Sequence, residues 1–122
     1  MAFSSKYFKL AEFQCHCGKC PPSEPSPDLV TRLDQVREAV GEPVVLSSAI
    51  RCKDYNDKVG GVGDSAHVLG QAADISVSDS TYRYKLLHPV VHRFQRYGIG
   101  KTFVHVDVST TLDQHVAWTY YS

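Results

Sequence analysis

The chain has no surplus of either charge. Its 122 residues hold 13 Lys and Arg against 13 Asp and Glu, a formal net charge of zero. A general nucleic-acid or membrane-surface role needs a field of one sign, so the balance speaks against both. No run of residues is long and apolar enough to span a bilayer. The opening MAFSSKYFKLAEF lacks the apolar stretch of a secretory signal. The expectation is synthesis in the cytoplasm, with action elsewhere only after release. Internal repeats and low-complexity tracts are absent too, and the length suits one domain, 1–122, rather than two.

A chain of this size buries roughly two-thirds of its unfolded surface, so a core forms without heavy cross-linking. Cysteine is scarce: Cys15, Cys17, Cys20 and Cys52, three of them crowded into CHCGKC. Cys17-x-x-Cys20 has the ligand spacing of a structural zinc knuckle. One or two disulfides formed after export, or plain reduced thiols, are the other two readings.

Residues 5–13 suggest a short helical turn, and CPPSEPSP over 20–27 is too rich in proline for a regular element. Ser26-Pro27-Asp28 reads as a helix start, with Ser as N-cap and Pro at the first helical position. Leu29, Leu33, Val36 and Val40 recur at helical spacing, and Gly41 ends the run. PVVLSSAI (43–50) and AADISV (72–77) read as strands, and CKDYNDKVGG (52–61) as a short helix. A helical pattern runs from Ser80 to about Tyr97, with Pro89 kinking or dividing it. KTFVHVDVS (101–109) alternates as a strand should, with HVAWTYY (115–121) as its closing partner. The mixture predicts α+β, a small antiparallel sheet flanked by helices.

The chemistry concentrates in two stretches. In FVHVDV, Val104, Val106 and Val108 claim one face of a strand, so His105 and Asp107 share the other, about 7 Å apart along it. In SAHVLGQAAD, a chain turning back at Gly70 brings His67 over the strand that Asp74 opens. If the strands of Asp74 and His105 are neighbours, His67, Asp74 and His105 converge. Two imidazoles and a carboxylate form a catalytic zinc set with a fourth position for water. Taken singly, each residue has a plainer reading: His105 as a satisfied structural histidine, Asp74 as a turn cap.

The stretch SSAIRCKDYNDKVGGVGDSAHVLGQAADI, followed by FVHVDV, resembles the zinc D-alanyl-D-alanine carboxypeptidase family. That family includes murein peptidases, vancomycin-resistance dipeptidases and phage endolysins, with the hedgehog amino-terminal domain as a distant relative. The family pattern S-x-H-x-x-G-x-A-x-D is met by Ser65, His67, Gly70, Ala72 and Asp74, with His105 on a later strand. An upstream pattern is met by Ser48, Arg51, Asn56, Gly60 and Gly61. The resemblance spans residues 48–107 and implies a hedgehog-like peptidase fold.

It also implies one catalytic Zn2+ held by His67, Asp74 and His105, and metal-activated water attacking an amide of a peptidoglycan stem peptide. Arg51 matches the family arginine that steadies substrate and developing charge; its plain alternative is a surface salt bridge. Ser65 and Asn56 would support the loop. Many relatives carry Glu or Asp three residues before the last His, where this chain has Thr102. Asp107 is the nearest carboxylate, serving as general base or as a partner orienting His105.

For the bond cut, the resemblance implies D-Ala-D-Ala, a D-Ala cross-link, or L-Ala-D-Glu. With no export signal read, a monomeric phage or prophage lysin reaching the cell wall on lysis is expected. Thr102 keeps a non-catalytic zinc-containing wall-binding module as the alternative of another class. The basic residues Arg83, Lys85, Arg93, Arg96 and Lys101 read as a solvated helix face, or else as a contact for anionic envelope polymers.

Overall fold

The structure, a computed structural model, describes residues 3–60 and 65–120. Gly61 and Tyr121, which belong to two of the stretches above, lie outside the described residues. Helix α1 spans Pro27–Val40. Pro27 takes the first helical position, where its missing N–H costs nothing, and Gly41 closes the helix at φ 72°, a conformation glycine adopts without strain. Ser26 occupies the N-cap position, but its side chain makes no capping bond. Leu29, Leu33 and Val36 are fully buried, each worth roughly 1.5–3 kcal/mol of apolar transfer.

Strand β1 (Leu46–Ser48), helix α2 (Lys53–Lys58), strand β2 (Ala72–Ser76) and helix α3 (Ser80–Arg93) follow. Helix α3 runs on through Pro89 without dividing and stops at Arg93, short of the expected Tyr97. The chain then enters strand β3 (Arg96–Ile99), whose first two residues, Arg96 and Tyr97, the sequence pattern assigns to the helix. Strand β4 is Phe103–Asp107 and strand β5 is Val116–Thr119.

The sheet order is β1-β2-β4-β3-β5. Its first four strands are antiparallel neighbours, as expected. Strand β5 departs from expectation: it lies beside β3 in parallel and is not the partner of β4. The long connection through residues 108–115 lets the chain pass β3 and add to its far edge, which a tight hairpin from β4 could not do.

Alternation divides the sheet. Ala73, Ile75, Val104 and Val106 point into one apolar core shared with Leu33 and Val36 of α1 and Leu86 and Val90 of α3. Asp74, His105 and Asp107 therefore occupy the opposite face. One row of register partners crosses the whole sheet on that face: Ser48, Asp74, His105, Gly98 and Trp118.

Candidate metal centre

Asp74 lies at the middle of β2, directly opposite His105 on β4, rather than at the strand's start. His67 comes from the turn between α2 and β2. That turn is tied back by the His67 amide, which donates to Ser65 Oγ at 3.2 Å, and by Gly70 N–H, which donates to His67 C=O. Gly70 sits at φ 71°, the left-handed region that the reversal needs. Ser65 and Asn56 are both buried, Asn56 completely.

His67, Asp74 and His105 each offer one ligand atom, and these atoms lie within 4.8 Å of one another. His67 Nε2 is 3.3 Å from Asp74 Oδ1, and His105 Nδ1 is 2.9 Å from the same oxygen. The outer nitrogens are already engaged. His67 Nδ1 lies 2.6 Å from the Ala49 carbonyl oxygen, which can only accept, so this nitrogen is the donor there and Nε2 is the atom turned toward Asp74. His105 Nε2 lies 2.8 Å from Asp107 Oδ2, which fixes it as the donor and turns Nδ1 inward. Histidines that ligate metals are held in this way by a carbonyl or carboxylate behind them. The donor set and its orientation fit zinc.

The electrostatics point the same way. Burial pushes the Asp74 carboxyl up, but hydrogen bonds and charge from His105 and His67 outweigh it, leaving the carboxyl well below its usual range. Burial pushes His105 down, but Asp107 and Asp74 outweigh that and raise it. In the metal-free chain the two carboxylates thus favour a cationic His105, and a positive charge at the place a metal ion would take.

Arg51 is held on three sides. Its Nε donates to Ser48 Oγ at 3.1 Å, Nη1 to Asn56 Oδ1 at 3.2 Å, and Nη2 to Asp74 Oδ2 at 3.3 Å. It is not a surface salt bridge: its side chain is 15% exposed and lines the cleft. A guanidinium has five N–H donors, so donors remain for a substrate oxygen. Asp107 is fully engaged, accepting from His105 on Oδ2 and from Arg96 Nε at 2.7 Å and the Ser109 amide on Oδ1. Thr102 is exposed and carries no carboxylate to the site.

Two features were not foreseen. Arg96 is a strand residue that pairs with Asp107 and lies over the Trp118 ring, 5.0 Å from its centroid; it is not part of a basic helix face. Of that basic group, Lys85 pairs with Glu42, and Arg83 donates to the backbone at Gly100 and Lys101. The second feature is an aromatic wall. Trp118 sits 5.5 Å from the His105 ring, and Phe103 packs on Tyr120 at 4.9 Å. Gly98 makes this possible, because a Cβ there would run into the Trp118 indole and the Tyr120 ring. The resulting cleft is about 390 Å³ and is lined by the three candidate ligands, Arg51 and these aromatics. Among the described residues, Asp74 and Asp107 are its only carboxylates.

No curated protein matches the chain. A family does: Peptidase M15 matches residues 6–107, from the amino-terminal segment through the last residue of β4. The chain therefore belongs to the peptidase M15 family, and it is a zinc metallopeptidase of the kind that acts on peptidoglycan.

Proposed function

We propose that this protein is a monomeric lysin of phage or prophage type that hydrolyses a D-Ala-containing amide of the peptidoglycan stem peptide. It is made in the cytoplasm and acts on the wall after release. His67 Nε2, Asp74 and His105 Nδ1 would hold the zinc. Bound there, zinc acts as a Lewis acid on a carbonyl and lowers the pKa of water at its open position. The observation that carries this reading is the pair of inward-turned imidazole nitrogens, each fixed from behind, facing one Asp74 oxygen beside an open cleft.

The chain's own side chains do the rest. Arg51 directs its remaining donors into the cleft, where a tetrahedral oxyanion or the stem peptide's carboxylate needs them. Because Nη2 also grips Asp74 Oδ2, Arg51 keeps the other carboxylate oxygen turned toward the two histidines. Asp107 is a positioning residue: its two oxygens are taken by His105, Arg96 and the Ser109 amide. Phe103, Trp118 and Tyr120 give the cleft an apolar side that excludes water from the amide under attack.

The test is digestion of purified peptidoglycan with the zinc-loaded protein, followed by mass identification of the new termini. Fragments ending or beginning at D-Ala are expected, and a His67→Ala variant should yield none. New D-Glu amino termini would move the cut to L-Ala-D-Glu and overturn the D-Ala assignment. Sacculi bound but left intact by zinc-loaded protein would make the protein a wall-binding module instead.

A further inference from the structure

Outside the cleft, a second group of ligand atoms converges. The sulfurs of Cys15, Cys17, Cys20 and Cys52 lie within 4.8 Å of one another, although Cys52 follows Cys15 by 37 positions. None belongs to the hydrophobic core; Cys20 is exposed and the other three are half-buried. Apolar packing therefore does not account for the gathering. We propose that these four thiolates hold a second, structural zinc ion that ties the amino-terminal loop to the segment carrying Arg51.

Three observations support the assignment. First, the sulfurs are mutual neighbours rather than two separate pairs. A tetrahedral ion with Zn–S near 2.3 Å sets its sulfurs about 3.8 Å apart, a span that sits between the 3.3 Å from Cys17 to Cys20 and the 4.8 Å limit of the group. Second, backbone amides point at the sulfurs: Lys19 N–H at Cys17, Cys52 N–H at Cys15, and Tyr55 N–H at Cys52, at 3.3 to 3.4 Å. Such donors favour the charged thiolate, the form that binds metal. Third, Gly18 takes φ 75° between Cys17 and Cys20, making the tight reversal that brings both sulfurs to one side.

The location gives the ion a task. Residues 14–26 form no helix or strand, and hydrogen bonds hold them at Gln14–Ser23 and Ser26–Gly70. Cys52 caps α2, whose Asn56 holds Arg51 Nη1. An ion on Cys52 thus braces the short path from the amino-terminal loop to the guanidinium over Asp74. It closes its own shell with four protein ligands and offers substrate no open position.

The experiment measures metal in the wild-type protein, purified under reducing conditions without chelator. Close to two zinc ions per chain are expected, and an organomercurial that attacks thiolates should release one of them. Cobalt(II)-loaded protein should show sulfur-to-cobalt charge-transfer absorption. That absorption and one ion should persist in His67→Ala and disappear in the Cys17→Ser, Cys20→Ser double variant. If the cleft held no metal, the sulfur-bound ion and its absorption would still be found, so failure there is separable from failure here. A folded wild-type protein in which all four thiols react freely, or are joined as disulfides by mass, with no sulfur-bound cobalt, overturns the proposal.

Discussion

The His67–Asp74–His105 group and the four-cysteine group each bring ligand atoms within 4.8 Å, yet they are assembled by different means. The first rests on sheet register: Asp74 faces His105 across β2 and β4 because Ala73 and Val106, and Ile75 and Val104, interlock on the core side. Its two histidines are buried, its donors are nitrogen and oxygen, and it opens onto a cleft. The second is built on irregular backbone, is partly exposed, and is all sulfur. Three mixed ligands beside open space suit chemistry, and four thiolates suit a clasp. The rigidity the first group takes from packed strands, the second must take from the ion itself.

Substitutions sharpen or break that contrast. The largest effect is expected from His67→Ala or His105→Ala. Lewis-acid stabilisation is worth several kcal/mol, so hydrolysis should fall on the order of 10³-fold or more, read as the rate of stem-peptide fragment release. Activity within tenfold of wild type would leave the buried group no more catalytic than the sulfur group.

Arg51→Ala comes next, with kcat down about 10²–10³-fold, the usual loss for an oxyanion donor. Zinc content at the cleft should stay intact. Loss of that zinc in step with activity would mean that Arg51 serves only to hold Asp74.

Asp107→Asn separates positioning from proton transfer. Orienting partners of ligating histidines are worth about 10–100-fold in metal affinity. A zinc titration should show that weakening, with kcat near wild type once zinc is saturating. Unchanged affinity with a collapsed kcat would make Asp107 the general base. On the other side of the contrast, Cys52→Ala should lower Tm by several degrees while kcat falls less than tenfold. The opposite pattern, with full Tm and no turnover, would put the sulfurs in the chemistry.

The smallest effect concerns the chelated protein and pH. His105 is raised above its ordinary 6.5, so its contribution is complete below that value and fades as pH climbs through the raised one. Asp74 and Asp107 are lowered from 3.8, so theirs is complete above that value and fades as pH falls through the lowered ones. Metal-free stability, read as a urea midpoint, should therefore be greatest between about pH 4 and 6.5. A midpoint still rising steadily above neutrality would contradict these couplings.

Much of the site could be read from residue order. The alternation in FVHVDV placed His105 and Asp107 together on the face opposite the valines, and the proline and glycine that bound α1 stood where helix ends need them. What escaped was pairing at a distance. Arg96 and Tyr97 continue the helical pattern of α3 with no breaker between, and only the place beside β4 makes them a strand. The Arg96–Asp107 pair depends on β3 lying beside β4, and the indole near His105 on β5 crossing to the far side of β3, a topology that no local pattern encodes. Gly98 was the one available clue, a small residue in a strand that leaves room for a close neighbour. The cysteine spacing allowed three states, and only the fold shows Cys52 beside the other three sulfurs.

The central claim is tested most directly by crystals of the zinc-loaded protein measured on both sides of the zinc absorption edge. The account predicts an anomalous peak bonded to His67 Nε2, Asp74 and His105 Nδ1. Zinc-replete crystals with no peak there, or with those three side chains turned away from one another, would contradict it.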